Sequence, residues 1–138
     1  MREILFRGRS MAQGSDWLYG DVLLYENSAQ IWETINGRKH NSVVSIKTVG
    51  QFTGLKDKKG NKIFEGDIVT HFINWLGKRV CGVVNYDCKI ASWVVDFTEK
   101  ENKESDFLAN WVSGNACEVI GNIHDNPELL NKEANEND

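Results

Sequence analysis

Residues 48–69, TVGQFTGLKDKKGNKIFEGDIV, hold the densest set of turn constraints in the chain, and much of what can fold here is decided by them. Val49, Phe52 and Leu55 lead into a polar loop, and Ile63 with Phe64 resume the apolar pattern directly after it, which predicts a β-hairpin. The loop Asp57-Lys58-Lys59-Gly60 suits a type I turn in which Gly60 takes a positive φ and forms a bulge, because glycine has no Cβ to clash there. Glu65-Gly66-Asp67 turns the chain again, and the β-branched pair Ile68-Val69 starts the next strand. Lys56, Lys58, Lys59 and Lys62 therefore stand on a solvated tip, where lysines keep a sheet edge soluble.

The rest of the chain repeats this short-strand pattern. Residues 2–7 alternate as a first strand, residues 8–15 read as a polar turn, and residues 17–25 form one strand with a bulge or two short strands, broken at Gly20-Asp21. Residues 30–34 place Ile31 opposite Trp32, with Gly37 closing the segment, and residues 42–48 put Val44 and Ile46 on one face. Residues 68–76, 79–86 and 90–97 follow as three strands with short connections, an antiparallel meander. Residues 99–106 are too charged to bury and read as an exposed loop. Residues 107–111 fit a helical turn, with Ser105 as N-cap, or a strand. Residues 117–123 give a last strand in which Gly121 marks a kink or a close approach. Asn126-Pro127-Glu128 then opens a short helix, and residues 131–138 lack apolar anchors. The expected fold is mainly β, α+β at the margin. An N-terminal β lobe covers 1–48, and a C-terminal lobe over 49–130 is a small SH3-like barrel or meander ending in a short helix. A disordered tail covers 131–138.

With 138 residues the chain can bury about two-thirds of its unfolded surface and needs no staples. The three cysteines, Cys81, Cys88 and Cys117, form no CxxC pair, and an odd count is a poor disulfide framework. The apolar run at the start is too short for a signal peptide, and no window is long enough for a membrane span, so the expectation is a soluble cytoplasmic protein in a bacterial host cell with no membrane partner. The net charge of -4 does not favour nucleic acid, yet the charge is uneven. Lys plus Arg against Asp plus Glu run 5 to 5 over residues 1–40, 7 to 3 over 41–80, and 4 to 12 over 81–138. A basic middle and an acidic C-terminal part make a dipole suited to steering a partner or to head-to-tail self-association.

Chemistry finds little to hold. Cys81 with Cys88 and Cys117 with His124 have six residues between them, wider than the two to four of zinc ribbons and knuckles, so no metal site is expected. His71, on the face of Val69 and Ile73, reads as a satisfied strand histidine rather than a general base. No nucleophile elbow, zinc-protease helix, phosphate loop or dinucleotide fingerprint is present, so no catalytic residue and no cofactor is expected. Of the five tryptophans, Trp17, Trp32, Trp75, Trp93 and Trp111, most belong to the core, and Trp75 beside Gly77-Lys78-Arg79 is the one placed for contact.

Met1-Arg2-Glu3-Ile4 with Phe6-Arg7-Gly8, then Asp16-Trp17-Leu18-Tyr19-Gly20, the stretch 48–69, Glu118-Val119-Ile120-Gly121-Asn122-Ile123 and Asn126-Pro127-Glu128-Leu129-Leu130 together resemble the YopX family. That resemblance implies a small protein encoded by phages and prophages of Gram-positive bacteria, with no assigned catalytic residues. Separately, the Gly66-Asp67-Ile68-Val69 corner before a meander is similar to SH3-like barrels. The sequence thus points to a non-enzymatic phage accessory protein acting by protein–protein contact. Its expected partners are other copies of itself, as a homo-oligomer, or a host or phage protein. The candidate surface is Lys56, Lys58, Lys59, Lys62, Trp75, Lys78 and Arg79, with the basic hairpin meeting the acidic face of a neighbour. The alternative is a nucleic-acid-binding module using the same residues.

Overall fold

The computed structural model describes residues 1–12, 16–73, 77–98 and 104–130. Trp75, residues 99–103 of the acidic stretch and the expected tail at 131–138 lie outside the described residues. The regular structure is mostly antiparallel β, and the chain divides into two units, Met1–Gly54 and Leu55–Asp138.

The first unit holds β1 (Phe6–Ser10), β2 (Trp17–Leu24), β3 (Ala29–Ile35) and most of β4 (Arg38–Lys56). β2 is one strand with two partners: Trp17 to Gly20 pair with β1, and Asp21 to Leu24 pair with β3. The handover falls at Gly20, where a Cβ would run into the carbonyl oxygen of Trp32, so glycine is required by close approach. β1 starts later than expected and runs on to Ser10, into the segment 8–15 read as a polar turn. Gly8 permits this, because a Cβ there would sit 2.8 Å from Val44 Cγ2.

Asn36 and Gly37 both take positive φ, 52° and 77°, the signature of a two-residue type I′ hairpin turn, and residues 38–56 then form a single long strand. β4 also returns to pair with β1, so the sheet closes into a partial ring. Its register slips on the way: Arg9 faces Ser45 while Arg7 faces Gly50. Thr48 holds the bulge, its Oγ1 accepting the Arg9 N–H at 2.8 Å and donating to the Ser45 carbonyl at 2.6 Å. The expected shared face of Val44 and Ile46 does not form. The bulge parts them, leaving Val44 2% exposed in the core with Ala29 and Ile31, and Ile46 41% exposed.

In the second unit the end of β4 passes through residues 57–61 to β5 (Lys62–Phe64), then β6 (Asp67–Ile73), β7 (Lys78–Asp87), β8 (Ser92–Phe97), β9 (Ser105–Phe107), α1 (Leu108–Ser113) and β10 (Glu118–Asn122). The expected three-strand meander is present as β6-β7-β8; β9 extends it where Ser105 and Asp106 were expected in an exposed loop, and β10 returns to the free edge of β6. Gly60 and Gly66 adopt φ of 84° and 90°, as their turns demand. Asp67 closes the second turn by accepting the Phe64 N–H at 2.8 Å. The core gathers Ile63, Val69, Val80, Val84, Val95, Leu108, Trp111 and Cys117.

Residues 105–111 resolve into β9 followed by α1, with Phe107 at the N-cap and no side-chain cap, so Ser105 is a strand residue and not a cap. The C-terminal helix is a 3₁₀ turn at 127–130. Asn126 turns backward from it, its Oδ1 accepting the Asn122 N–H at 3.2 Å. That contact explains Gly121, where a Cβ would collide with the Asn126 carboxamide.

Gly82 is the tightest point of the meander, since a Cβ would overlap Val95 Cγ1 and lie 2.9 Å from the Asp96 carbonyl oxygen. Val95 is wholly buried and has nowhere to move. Gly82→Ala is therefore expected to destabilise the protein by about 2 kcal/mol. Urea unfolding checks this through a lowered midpoint at unchanged slope.

Candidate functional site

The hairpin tip is organised by a carboxylate rather than by its lysines. Asp57 is 6% exposed. Its Oδ1 accepts the N–H groups of Lys59 and Asn61 at 2.9 and 2.8 Å, and its Oδ2 accepts the Val119 N–H at 3.0 Å and the Asn61 amide at 3.2 Å. Burial pushes this carboxyl's pKa up, but the N–H donors of Val119, Asn61 and Lys59 outweigh it and hold the pKa below the usual carboxylate range. One side chain thus shapes the loop and ties it to β10, helped by the Lys58 N–H donating to the Cys117 carbonyl at 3.0 Å.

This clasp delivers Lys58 and Lys59 to Glu118, with Nζ to carboxylate distances of 3.3 and 2.7 Å. Lys59 first, then Lys58, lowers the pKa of Glu118, while Glu118 raises that of Lys59. The tip's charge is thus met in part within the same chain. Lys56, Lys78 and Arg79 are exposed, Lys62 is half-buried, and Arg79 donates to Thr70 Oγ1 at 3.3 Å.

His71 and Cys117 serve packing. The His71 ring lies 5.3 Å from that of Trp111. Cys81 is half-buried, Cys88 exposed and Cys117 buried, and the Cys117 thiol is pushed up to about 12 by burial and by nearby Asp57, which keeps it un-ionised and unreactive. Among the described residues no three His, Cys, Asp or Glu side chains gather as a metal site. An open depression of about 420 Å³ at the β7–β8 turn is lined by Glu65, Asn85, Asp87, Lys89 and Asp96. Its polar groups bond one another: the Asn85 amide donates to Asp96, and Asp87 accepts the Lys89 N–H at 2.9 Å. No described helix is long and apolar enough to cross a membrane.

A second surface has no counterpart among the residues singled out from sequence. The β2–β3–β4 register aligns Leu23, Gln30 and Val43 in one row and Asp21, Trp32 and Asn41 in the next, on the side opposite the buried Ala29, Ile31 and Val44. Leu23 is 43% exposed and Val43 51%. Tyr19, further along β2, is 44% exposed, and the Arg7 guanidinium lies 4.6 Å from the centre of the Trp17 ring. The Asn36-Gly37 dipeptide was the available signal, since an Asn-Gly hairpin turn pins the register that brings these residues side by side.

A comparison with curated proteins finds no match. Among solved structures, the crystal structure of protein EF1440 from Enterococcus faecalis is similar in fold. Its TM-score is 0.57 at 22% identity, over 94% of this chain and 99% of that one. The YopX protein family matches residues 5–131. With the match running over nearly its whole length, the chain belongs to the YopX family.

Proposed function

We propose that this is a non-enzymatic phage or prophage accessory protein of the bacterial cytoplasm that works through protein–protein contacts, beginning with self-association. The observation that carries the reading is the distribution of exposed apolar side chains. Among the described residues, ten large ones that are exposed fall in Met1–Gly54 and five in the longer second unit. Three of the ten, Tyr19, Leu23 and Val43, share one face of β2–β4, and apolar side chains gathered on one face suit a binding surface. The reading also draws support from the groups that would serve catalysis, because Asp57, His71 and Cys117 are each committed to hydrogen bonding or packing. The nucleic-acid alternative rests on the hairpin cations, of which Lys58 and Lys59 share the Glu118 carboxylate.

Light scattering behind size-exclusion chromatography tests the proposal across concentration and salt. The expected result is a mass that rises with concentration and persists in high salt, since apolar burial is not screened. A monomer under every condition would sink it.

A further inference from the structure

We propose that Asn36 is a site of spontaneous covalent modification: the Gly37 backbone nitrogen closes on the Asn36 side chain when the β3–β4 hairpin tip opens, and the isoaspartate that follows breaks the turn. The site stands apart from the self-association reading and does not depend on it.

The chemistry is favoured at this asparagine. Asn36-Gly37 is the chain's single Asn-Gly step. Both residues are exposed, and nothing lies within 4 Å of where a Cβ on Gly37 would sit, so the attacking nitrogen is uncrowded. Elsewhere the side-chain amides of Asn41, Asn61, Asn85, Asn110 and Asn122 each donate to a neighbouring side chain. Asn27 and Asn115 are exposed too, but Ser28 and Ala116 bring a Cβ against the nitrogen.

The step balances with water as its one co-reactant. The Gly37 nitrogen attacks Asn36 Cγ, the new N–Cγ bond replaces the Cγ–Nδ2 bond, and Nδ2 leaves as ammonia, carrying off the proton of the Gly37 N–H. Water then opens the cyclic imide. Opening at Cγ leaves an aspartate in the ordinary main chain. Opening at the main-chain carbonyl of residue 36 leaves an isoaspartate, whose main chain runs through Cβ and Cγ and is one carbon longer.

The fold sets both the rate and the consequence. With Asn36 and Gly37 at φ of 52° and 77°, the closed type I′ turn points the Gly37 nitrogen away from the Asn36 side chain, so attack waits for the tip to open. Opening is easy because the tip stands clear of the core: Ile31 is the last buried residue on β3, Val44 the first on β4, and residues 34–41 are all exposed. It sacrifices a net hydrogen bond or two, which slows the folded chain about tenfold relative to the unfolded one. Once formed, the longer main chain does not fit a two-residue turn, so Ile35 unpairs from Arg38 and Thr34 from Lys39. Lys39 Nζ then loses its place 3.1 Å from Asp21 Oδ2.

Ageing the full chain in mildly alkaline buffer, with and without denaturing urea, tests this by peptide mass spectrometry with electron-transfer fragmentation, which locates the exchange of NH2 for OH and tells isoaspartate from aspartate. Asn36 is expected to convert faster than every other described asparagine, chiefly to isoaspartate, and about tenfold faster in urea than in the fold. Conversion no faster than at Asn27 or Asn115 overturns the site. Equal rates in both buffers overturn the gating by the hairpin tip. Hydrogen exchange then compares the aged protein with Asn36→Asp, which has the same charge in an ordinary main chain. Amides of residues 34–39 should exchange faster in the aged protein alone, and equal protection in the two would overturn the broken turn.

Discussion

Asp57→Ala is expected to lower the unfolding free energy by about 3 kcal/mol, a large loss for one side chain at the tip of a hairpin. The size follows from what the carboxylate holds. It accepts from the backbone N–H groups of Lys59, Asn61 and Val119 and from the Asn61 amide, and its removal leaves these donors without their acceptor in a place where the residue itself was 6% exposed. It also unties the loop from β10, whose Glu118 is the anion of Lys58 and Lys59. Asp57→Asn keeps one acceptor oxygen and is expected to retain about half of the stability, since the carboxamide can satisfy the loop N–H groups or Val119 but not both sets. The pH dependence has a definite sign. The folded pKa is depressed, so the unfolded chain binds the proton first. The contribution of Asp57 is present above about pH 4 and is lost as pH falls through its lower folded value. Thermal unfolding followed from neutral to acid pH should show a steeper acid loss for wild type than for Asp57→Asn. Equal acid slopes would mean that the carboxylate is not ionised in the fold.

The local turn chemistry of residues 48–69 was legible because each step has one physical answer. Gly60 and Gly66 must supply positive φ, and Asp67 is a short acceptor placed to close its turn. The meander was legible from alternation and short connections, and Gly121 from the need for close approach. What escaped was long-range. Asp57 reads as a turn residue in sequence, and nothing local says that its second oxygen accepts from Val119. The same clasp brings Glu118 to Lys58 and Lys59, so a basic run becomes partly neutral only in three dimensions. Ile46 and Val44 share a parity but not an environment, because the bulge held by Thr48 breaks the two-residue period. The outer-face rows escaped for a similar reason: Leu23 and Val43 are twenty residues apart, and only the β2–β3–β4 register makes them neighbours across Gln30.

Trp111→Ala is expected to cost about 4 kcal/mol, more than the loss of the Asp57 clasp. α1 has only the six residues Leu108–Ser113, no side-chain cap, no acid in its first turn and no base in its last. A helix so short has no stability of its own and is held in place by what it buries. Leu108 is wholly buried and Trp111 is 3% exposed, with the indole lying 5.7 Å from the Phe97 ring and 5.3 Å from that of His71. Removing it empties the space between α1 and β8 and takes the cover from His71, so the cavity adds to the lost transfer energy. Trp111→Phe retains a ring against Phe97 and should lose about half as much. Urea unfolding followed by near-ultraviolet circular dichroism measures both, because a fixed indole between two rings contributes a signal that a collapsed site does not. If Trp111→Ala unfolds at the wild-type midpoint, α1 is not held by its packing, and the core of the second unit does not depend on it.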